Sequence, residues 1–188
     1  MIKIKTIIED TRQQIGKHKK TNEQLEKLGV KLIRSKLPCG DYANMLNMSI
    51  IIDSKKDLQE CVNNICGKSH ERFRRECQLA KENGIKLIIL IEHGGNIKDL
   101  ESVVGWSNPR QFLYERKIRK EFGIPRGTDF QAEITELKTH GVKIVRGPTT
   151  GEELYKAMVT MSEKYGVEWV FCDKKDTGKR IVEILGGL

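Results

Sequence analysis

Gly40-Asp41 is followed, after eleven intervening residues, by Asp53-Ser54-Lys55. In an extended strand, residues two apart face the same side, so Asp53 and Lys55 project together. If the preceding strand pairs with theirs as a hairpin, Asp41 comes alongside. Two carboxylates can then hold a hard divalent cation such as Mg²⁺ through oxygen, leaving positions for water and a substrate phosphate. Such a cation polarises a phosphodiester and lowers the pKa of its bound water. A lysine beside it can orient or deprotonate the attacking water and stabilise charge on the phosphate. Each residue also has a plain structural reading: Asp41 caps a turn, Asp53 ends a strand, Lys55 is a solvated surface residue. An Asp-x(n)-Asp-x-Lys pattern arises often by chance, so spacing alone does not decide.

The elements that must position these groups follow from periodicity. Residues 2–8 alternate and then become doubly apolar, the pattern of a strand entering a core. A polar loop over 13–20 leads into a short helix over 21–28, with Thr21 as N-cap and Gly29 as stop. Residues 30–34 read as a second strand. Leu37-Pro38-Cys39-Gly40-Asp41-Tyr42 is a turn opening another strand, and 44–47 a hairpin connection. Residues 49–55 form a strand whose Ile50, Ile51 and Ile52 suit a buried central position. Helices are expected over 56–65 and 70–83, the second with Phe73, Cys77 and Ala80 at helical spacing. A strongly apolar strand spans 86–91. Residues 94–126 are less regular. Then come a helix over 130–139, a strand over 142–146, a helix over 152–165, a strand over 167–172 and a closing helix over 177–185. Alternating strands and helices imply an α/β domain with a mixed sheet. We expect one domain over residues 1–188, with 94–141 a less regular, helical and basic elaboration.

Composition bounds the chemistry. Of 188 residues, 38% are hydrophobic and 32% charged, enough apolar material for a core and too much for a disordered chain. The net charge of +8 and pI near 9.2 favour partners that carry phosphate. No apolar run reaches the roughly 18 residues of a membrane span, and the N-terminus has no signal-peptide layout. The cysteines Cys39, Cys61, Cys66, Cys77 and Cys172 are odd in number and form no Cys-x-x-Cys pair. That points to reduced thiols in a cytosolic compartment, and His18, His70, His93 and His140 show no zinc-like spacing with them.

Larger words surround the acidic residues. Asp10-Thr11-Arg12 after a strand, Leu37-Pro38-Cys39-Gly40-Asp41-Tyr42, and Ile51-Ile52-Asp53-Ser54-Lys55 occur in that order. This resembles the XPF-type (ERCC4-like) nuclease domain, the branch of the PD-(D/E)xK superfamily with Gly-Asp followed by Glu-Arg-Lys-x-x-x-Asp. The strand over 87–92 and the closing Phe171-Cys172-Asp173-Lys174-Lys175-Asp176-Thr177-Gly178-Lys179 resemble later parts of that domain. The likeness covers most of the chain and is least clear over 94–141. It implies a restriction-endonuclease-like α/β fold, a mixed central sheet flanked by helices, and a Mg²⁺- or Mn²⁺-dependent endonuclease acting on DNA. The implied setting is structure-specific cutting of branched or flapped DNA in repair, recombination or phage DNA processing, in the cytoplasm of a bacterial or phage-infected cell. Small stand-alone versions of the domain are similar in length.

Carried over by residue, the resemblance makes Asp41 and Asp53 metal ligands and Lys55 the catalytic lysine. Asp10 becomes an accessory acid near the metal and Arg12 a phosphate-facing group. The family's Glu-Arg-Lys is Asp-Ser-Lys here: Asp53 keeps the carboxylate with one methylene less, and Ser54 removes an arginine. The family's last Asp falls at Gln59, with Asp57 and Glu60 nearby; Glu60 is the favoured substitute. A literal Glu115-Arg116-Lys117 lies far from Gly40-Asp41 and reads as a solvated, ion-paired helix face. Between Arg110 and Arg126, six basic residues (Arg110, Arg116, Lys117, Arg119, Lys120, Arg126) against two Glu form a candidate DNA-binding surface. No tandem helix-hairpin-helix module is visible, so a homodimer, a partner protein or the 94–126 segment is expected to supply substrate grip. A non-catalytic DNA-binding relative of the same fold, and a junction-resolvase or restriction-like nuclease, are the alternatives.

Overall fold

The computed structural model describes residues 6–186. A six-stranded mixed sheet forms its centre. The strands are β1 (Thr6–Asp10), β2 (Lys31–Ser35), β3 (Tyr42–Asn44), β4 (Asn47–Lys55), β5 (Lys86–Glu92) and β6 (Glu168–Cys172), in the spatial order β2-β1-β3-β4-β5-β6. β3 runs antiparallel to β1 and β4; the other neighbours are parallel. β5, with the sequence KLIILIE, is buried on both faces over its five central residues, as a near-continuous aliphatic run between helical layers should be. Of the strand expected over 2–8, residues 2–5 lie outside those described.

Helices cover both faces. On one side α2 (Leu58–Ile65), α3 (His70–Glu82) and α6 (Gly151–Tyr165) pack Leu58, Cys61, Phe73, Cys77, Leu154 and Met158 against Ile51, Ile89 and Ile91. On the other, α1 (Lys19–Lys27) and α7 (Thr177–Gly186) lay Leu25, Ile181 and Leu185 on Ile7, Ile52 and Leu90. Strand alternation sends successive Ile residues of β4 and β5 to opposite cores. Among the described residues no helix is long and apolar enough to cross a membrane.

Between β5 and α6 the chain makes an excursion: a 3-10 turn at Glu101–Gly105, α4 (Gln111–Phe122) and α5 (Phe130–Thr139). The excursion has an apolar cluster of its own, Ile118, Ile124, Phe130 and Ile134, with Tyr114, Phe122, Leu137 and Ile144 packed around it. It leaves and rejoins the body at one neck, where the buried Asn108 donates to the Thr149 carbonyl at 2.9 Å. Thr150 and Glu153 then close a capping box that starts α6.

Two expectations change. Residues 142–146 form no strand. Their alternation is real, with Val142 and Ile144 half-buried between exposed Lys143 and Val145, but the covered face rests on the excursion's cluster and no ladder partner lies beside it. Thr21 is not an N-cap: α1 begins two residues earlier, with His18 at the cap, and Thr21 is buried on the inner face 3.5 Å from Glu92.

Candidate active site

Chemistry concentrates where the central strands end. β3 pairs with β4 through Tyr42↔Ile52, and the Asp41 N–H donates to the Ile52 carbonyl at 2.7 Å. Continuing that antiparallel register by one residue sets Asp41 opposite Asp53. Gly40 makes the approach. Its φ is +63°, and a Cβ there would stand 2.6 Å from Ile51 Cγ2 and 2.8 Å from the Ile52 carbonyl oxygen. The turn before Asp41 therefore requires glycine on two counts.

Asp53 and Lys55 share the face of β4 that looks toward α2 and α3. Both are nearly inaccessible, 4% and 6% exposed. Lys55 Nζ donates to both Asp53 oxygens, at 2.7 and 2.5 Å, and stands 5.4 Å from the centre of the Phe73 ring. Burial pushes the Asp53 carboxyl up from its usual value; Lys55 pulls it down, while Asp41 and Glu76 push it further up. For Lys55 burial lowers the pKa, but the charges of Asp53 and Asp41 outweigh that and hold it above the usual lysine value. The neighbouring thiols of Cys39 and Cys77 are each pushed up to about 12, chiefly by burial, so they sit there as small apolar side chains.

Both oxygens of the Asp41 carboxylate are engaged. One oxygen accepts from the Ser54 N–H at 2.9 Å and the Ser54 hydroxyl at 2.6 Å; the other accepts from the Gln13 amide. The Ser54 hydroxyl thus orients the neighbouring carboxylate. His18 Nε2 lies 3.9 Å from Asp41 and has no hydrogen-bond partner. Burial lowers the His18 pKa against the pull of Asp41.

The other expected residues are placed differently. The Asp10 carboxylate accepts from the Arg12 N–H, from Arg12 Nε and Nη2, and from the Leu37 N–H, at 2.6 to 3.1 Å. Its oxygens are fully engaged in fixing the loop after β1, and Arg12 is engaged with it. Asp57 N-caps α2 by accepting from the Glu60 N–H at 2.8 Å, and the Glu60 carboxylate accepts from the Lys56 N–H at 2.9 Å. Both line the cleft. Among the basic residues of 110–126, Arg110 reaches the cleft rim. Arg116, Lys117 and Lys120 are exposed on α4, and Arg126 on the loop after it. Arg119 is turned inward, donating to the Pro125 and Thr128 carbonyls and lying 5.1 Å from the Phe130 ring, where it braces the excursion.

Sequence reasoning missed Gln13, His18 and Glu76. The last had a signal. Glu76 falls within the stripe Phe73, Cys77, Ala80, where an apolar residue is expected, and its carboxylate accepts from the Gly40 N–H at 2.8 Å. Gln13 and His18 come from an irregular loop, whose course no periodicity reveals.

Beside the Asp53–Lys55 pair opens a cleft of about 670 Å³, whose wall includes Ser54 and Lys55 and whose rim carries Lys17, Lys19, Lys20, Lys56, Arg110 and Lys174; Asp41, Asp53 and Glu76 lie behind that wall and do not line it. Asp41 and Asp53 offer carboxylate oxygens, the donor type a hard cation takes, and the charges of Asp41 and Glu76 both act on Asp53. Among the described residues no cluster of three or more His, Cys, Asp or Glu is arranged to hold a metal ion. Asp41 and Asp53 are the residues that would hold Mg²⁺ or Mn²⁺.

The ERCC4 domain model matches residues 9–184, from the end of β1 into α7. This chain belongs to the ERCC4 domain family. The fold is also that of solved relatives. XPF from Aeropyrum pernix is 19% identical, with a TM-score of 0.56 over 96% of this chain and 63% of that one. The same protein in complex with DNA gives 18% identity and a TM-score of 0.53 over 94% of this chain and 61% of that one. This ERCC4 chain therefore spans less than two thirds of either solved chain. A comparison with curated proteins finds no match.

Proposed function

We propose that this ERCC4-family chain is a divalent-metal-dependent endonuclease that hydrolyses DNA phosphodiester bonds. The observation that carries the reading is the buried Asp53–Lys55 pair set opposite Asp41 at the end of the sheet, with Lys55 in the wall of a cleft rimmed with basic side chains. The Aeropyrum relative in complex with DNA supports the choice of polymer. Asp41 and Asp53 would hold the cation, which would supply Lewis acidity toward the phosphate. Lys55, placed on Asp53, donates to the attacking water or to the phosphate oxygens as charge develops there. Ser54 and Gln13 fix the Asp41 carboxylate, and the lysines of the rim neutralise backbone phosphates.

The test is cleavage of linear, flapped, forked and four-way DNA with Mg²⁺ or Mn²⁺. Cutting should vanish with chelator and fall by about 10³-fold or more in Asp53→Ala. Cutting by the variant and by the chelated enzyme at the rate of the untreated wild type would remove the proposal. A second reading, a non-catalytic DNA-binding relative, draws on the saturation of both carboxylates: Lys55 covers Asp53, and Gln13 and Ser54 occupy Asp41. It expects salt-sensitive DNA binding with no cleavage of any of the four substrates.

A further inference from the structure

The cleft does not end at Arg110. A second pocket, of about 440 Å³, continues from it between α2 and the excursion, and Gln59, Asn63 and Arg110 line both. Its far wall is Tyr114 and the returning segment at Arg146. Two guanidinium groups therefore face this groove. Arg110 stands at its mouth and Arg146 at its far end, where an exposed pair with Glu153 at 2.8 Å holds it only weakly. The Tyr114 ring is fixed edge-on to Phe130, and its hydroxyl donates to the Val145 carbonyl at 2.9 Å, so the wall is rigid and half apolar. A second observation is independent of charge. Both amide atoms of Gln59 are buried with no hydrogen-bond partner among the described residues, on the turn of α2 that borders both pockets. An unmet buried amide is unfavourable unless a partner completes it.

We propose that this groove binds an unpaired stretch of nucleic acid leading away from the cleft. Arg110 and Arg146 take successive phosphates, and a base lies along Tyr114, where a rotation of the Gln59 side chain brings its amide to the base edge. A pocket of this size accepts a drug-sized group; a base pair with both its backbones does not enter it. An amide offers one donor edge and one acceptor edge together, the pattern that discriminates among bases. Gln59 is thus a base-selecting residue rather than a substitute acid. The inference rests on the nuclease reading only in taking DNA as the ligand.

The experiment uses the full chain carrying Asp53→Asn and measures fluorescence anisotropy with labelled 12-mers of dA, dC and dT, at several salt concentrations. The three affinities should differ by about fivefold or more, and Gln59→Leu should bring them together. Arg110→Ala with Arg146→Ala should weaken all three by about tenfold and flatten the log–log salt slope by about 1.4, two phosphates' worth on a single strand. Lys31→Ala, at the opposite end of the sheet, should change neither. Undiminished affinity and an unchanged slope in the double arginine variant would overturn the groove while leaving the nuclease reading intact. Equal affinities for all three 12-mers in the protein with Gln59 intact would overturn the base contact. Failure of the parent to bind any DNA at low salt would remove both the inference and the reading beneath it.

Discussion

Asp53 carries the balance of the site, because burial and its acidic neighbours oppose Lys55 over one proton. Glu76→Gln keeps an oxygen for the Gly40 N–H and removes one of the charges that raise Asp53. The Asp53 pKa then falls, and the acidic limb of the cleavage pH profile should move to lower pH; an unmoved limb would show that Glu76 only holds the turn. Lys55→Met tests the other side. A carboxyl whose pKa is raised by folding binds its proton more tightly in the folded chain. The stability it permits is whole below its unfolded value of about 3.9 and is lost as pH rises through the folded value. Without Lys55 that loss is uncompensated. Urea denaturation between pH 4 and pH 8 should show the variant falling progressively behind the parent, by about 3 kcal/mol at the upper end. Parallel stability curves would mean that Asp53 does not ionise against Lys55.

At the scale of elements, the site depends on how β3 enters the sheet. Gly40→Ala meets both a positive φ and backbone atoms of β4, whereas Gly29→Ala, at φ +76°, meets nothing within 4 Å. The first should cost about 3 kcal/mol and the second about 1 kcal/mol in thermal or urea unfolding; equal losses would show that close packing at Gly40 does not matter. This same hairpin explains how much was legible beforehand. Asp41, Asp53 and Lys55 lie on neighbouring strands joined by a short turn, so period-two alternation and one pairing assumption brought them together. β4 and β5 were readable because aliphatic runs bounded by turns have few other uses. Asp10 and Glu60 read from the sequence as acids near the site, but the backbone N–H groups of Leu37 and Lys56 that help hold them are donors that no side-chain pattern announces. The alternation over 142–146 predicts a strand, but alternation signals only a covered face, and here a helical cluster rather than a neighbouring strand covers it. Glu76 was hidden because a helix stripe was read for its apolar members, and its one charged member was passed over.

Over the whole molecule, the three-layer body and the excursion are held by different cores. Replacing residues 109–148 by a short Gly-Ser bridge should leave a cooperatively folding body. Its urea m-value should fall by about a fifth, in proportion to the chain removed, and its unfolding midpoint should change little. A broad, non-cooperative transition would show that the body needs the excursion to fold. The same deletion separates the two roles assigned here: it should spare a minimal cut at the cleft and abolish selection among unpaired bases.

The neck at Asn108 and Thr149 gives the molecule something like a socket. Both ends of the excursion leave the body within a single hydrogen bond of each other, so any small hairpin with matching ends can be mounted there without disturbing the strands below. Under the proposed nuclease reading the excursion becomes an exchangeable cartridge: grafting a different hairpin between these two residues should change which DNA is bound while Asp53 and Lys55 keep their places.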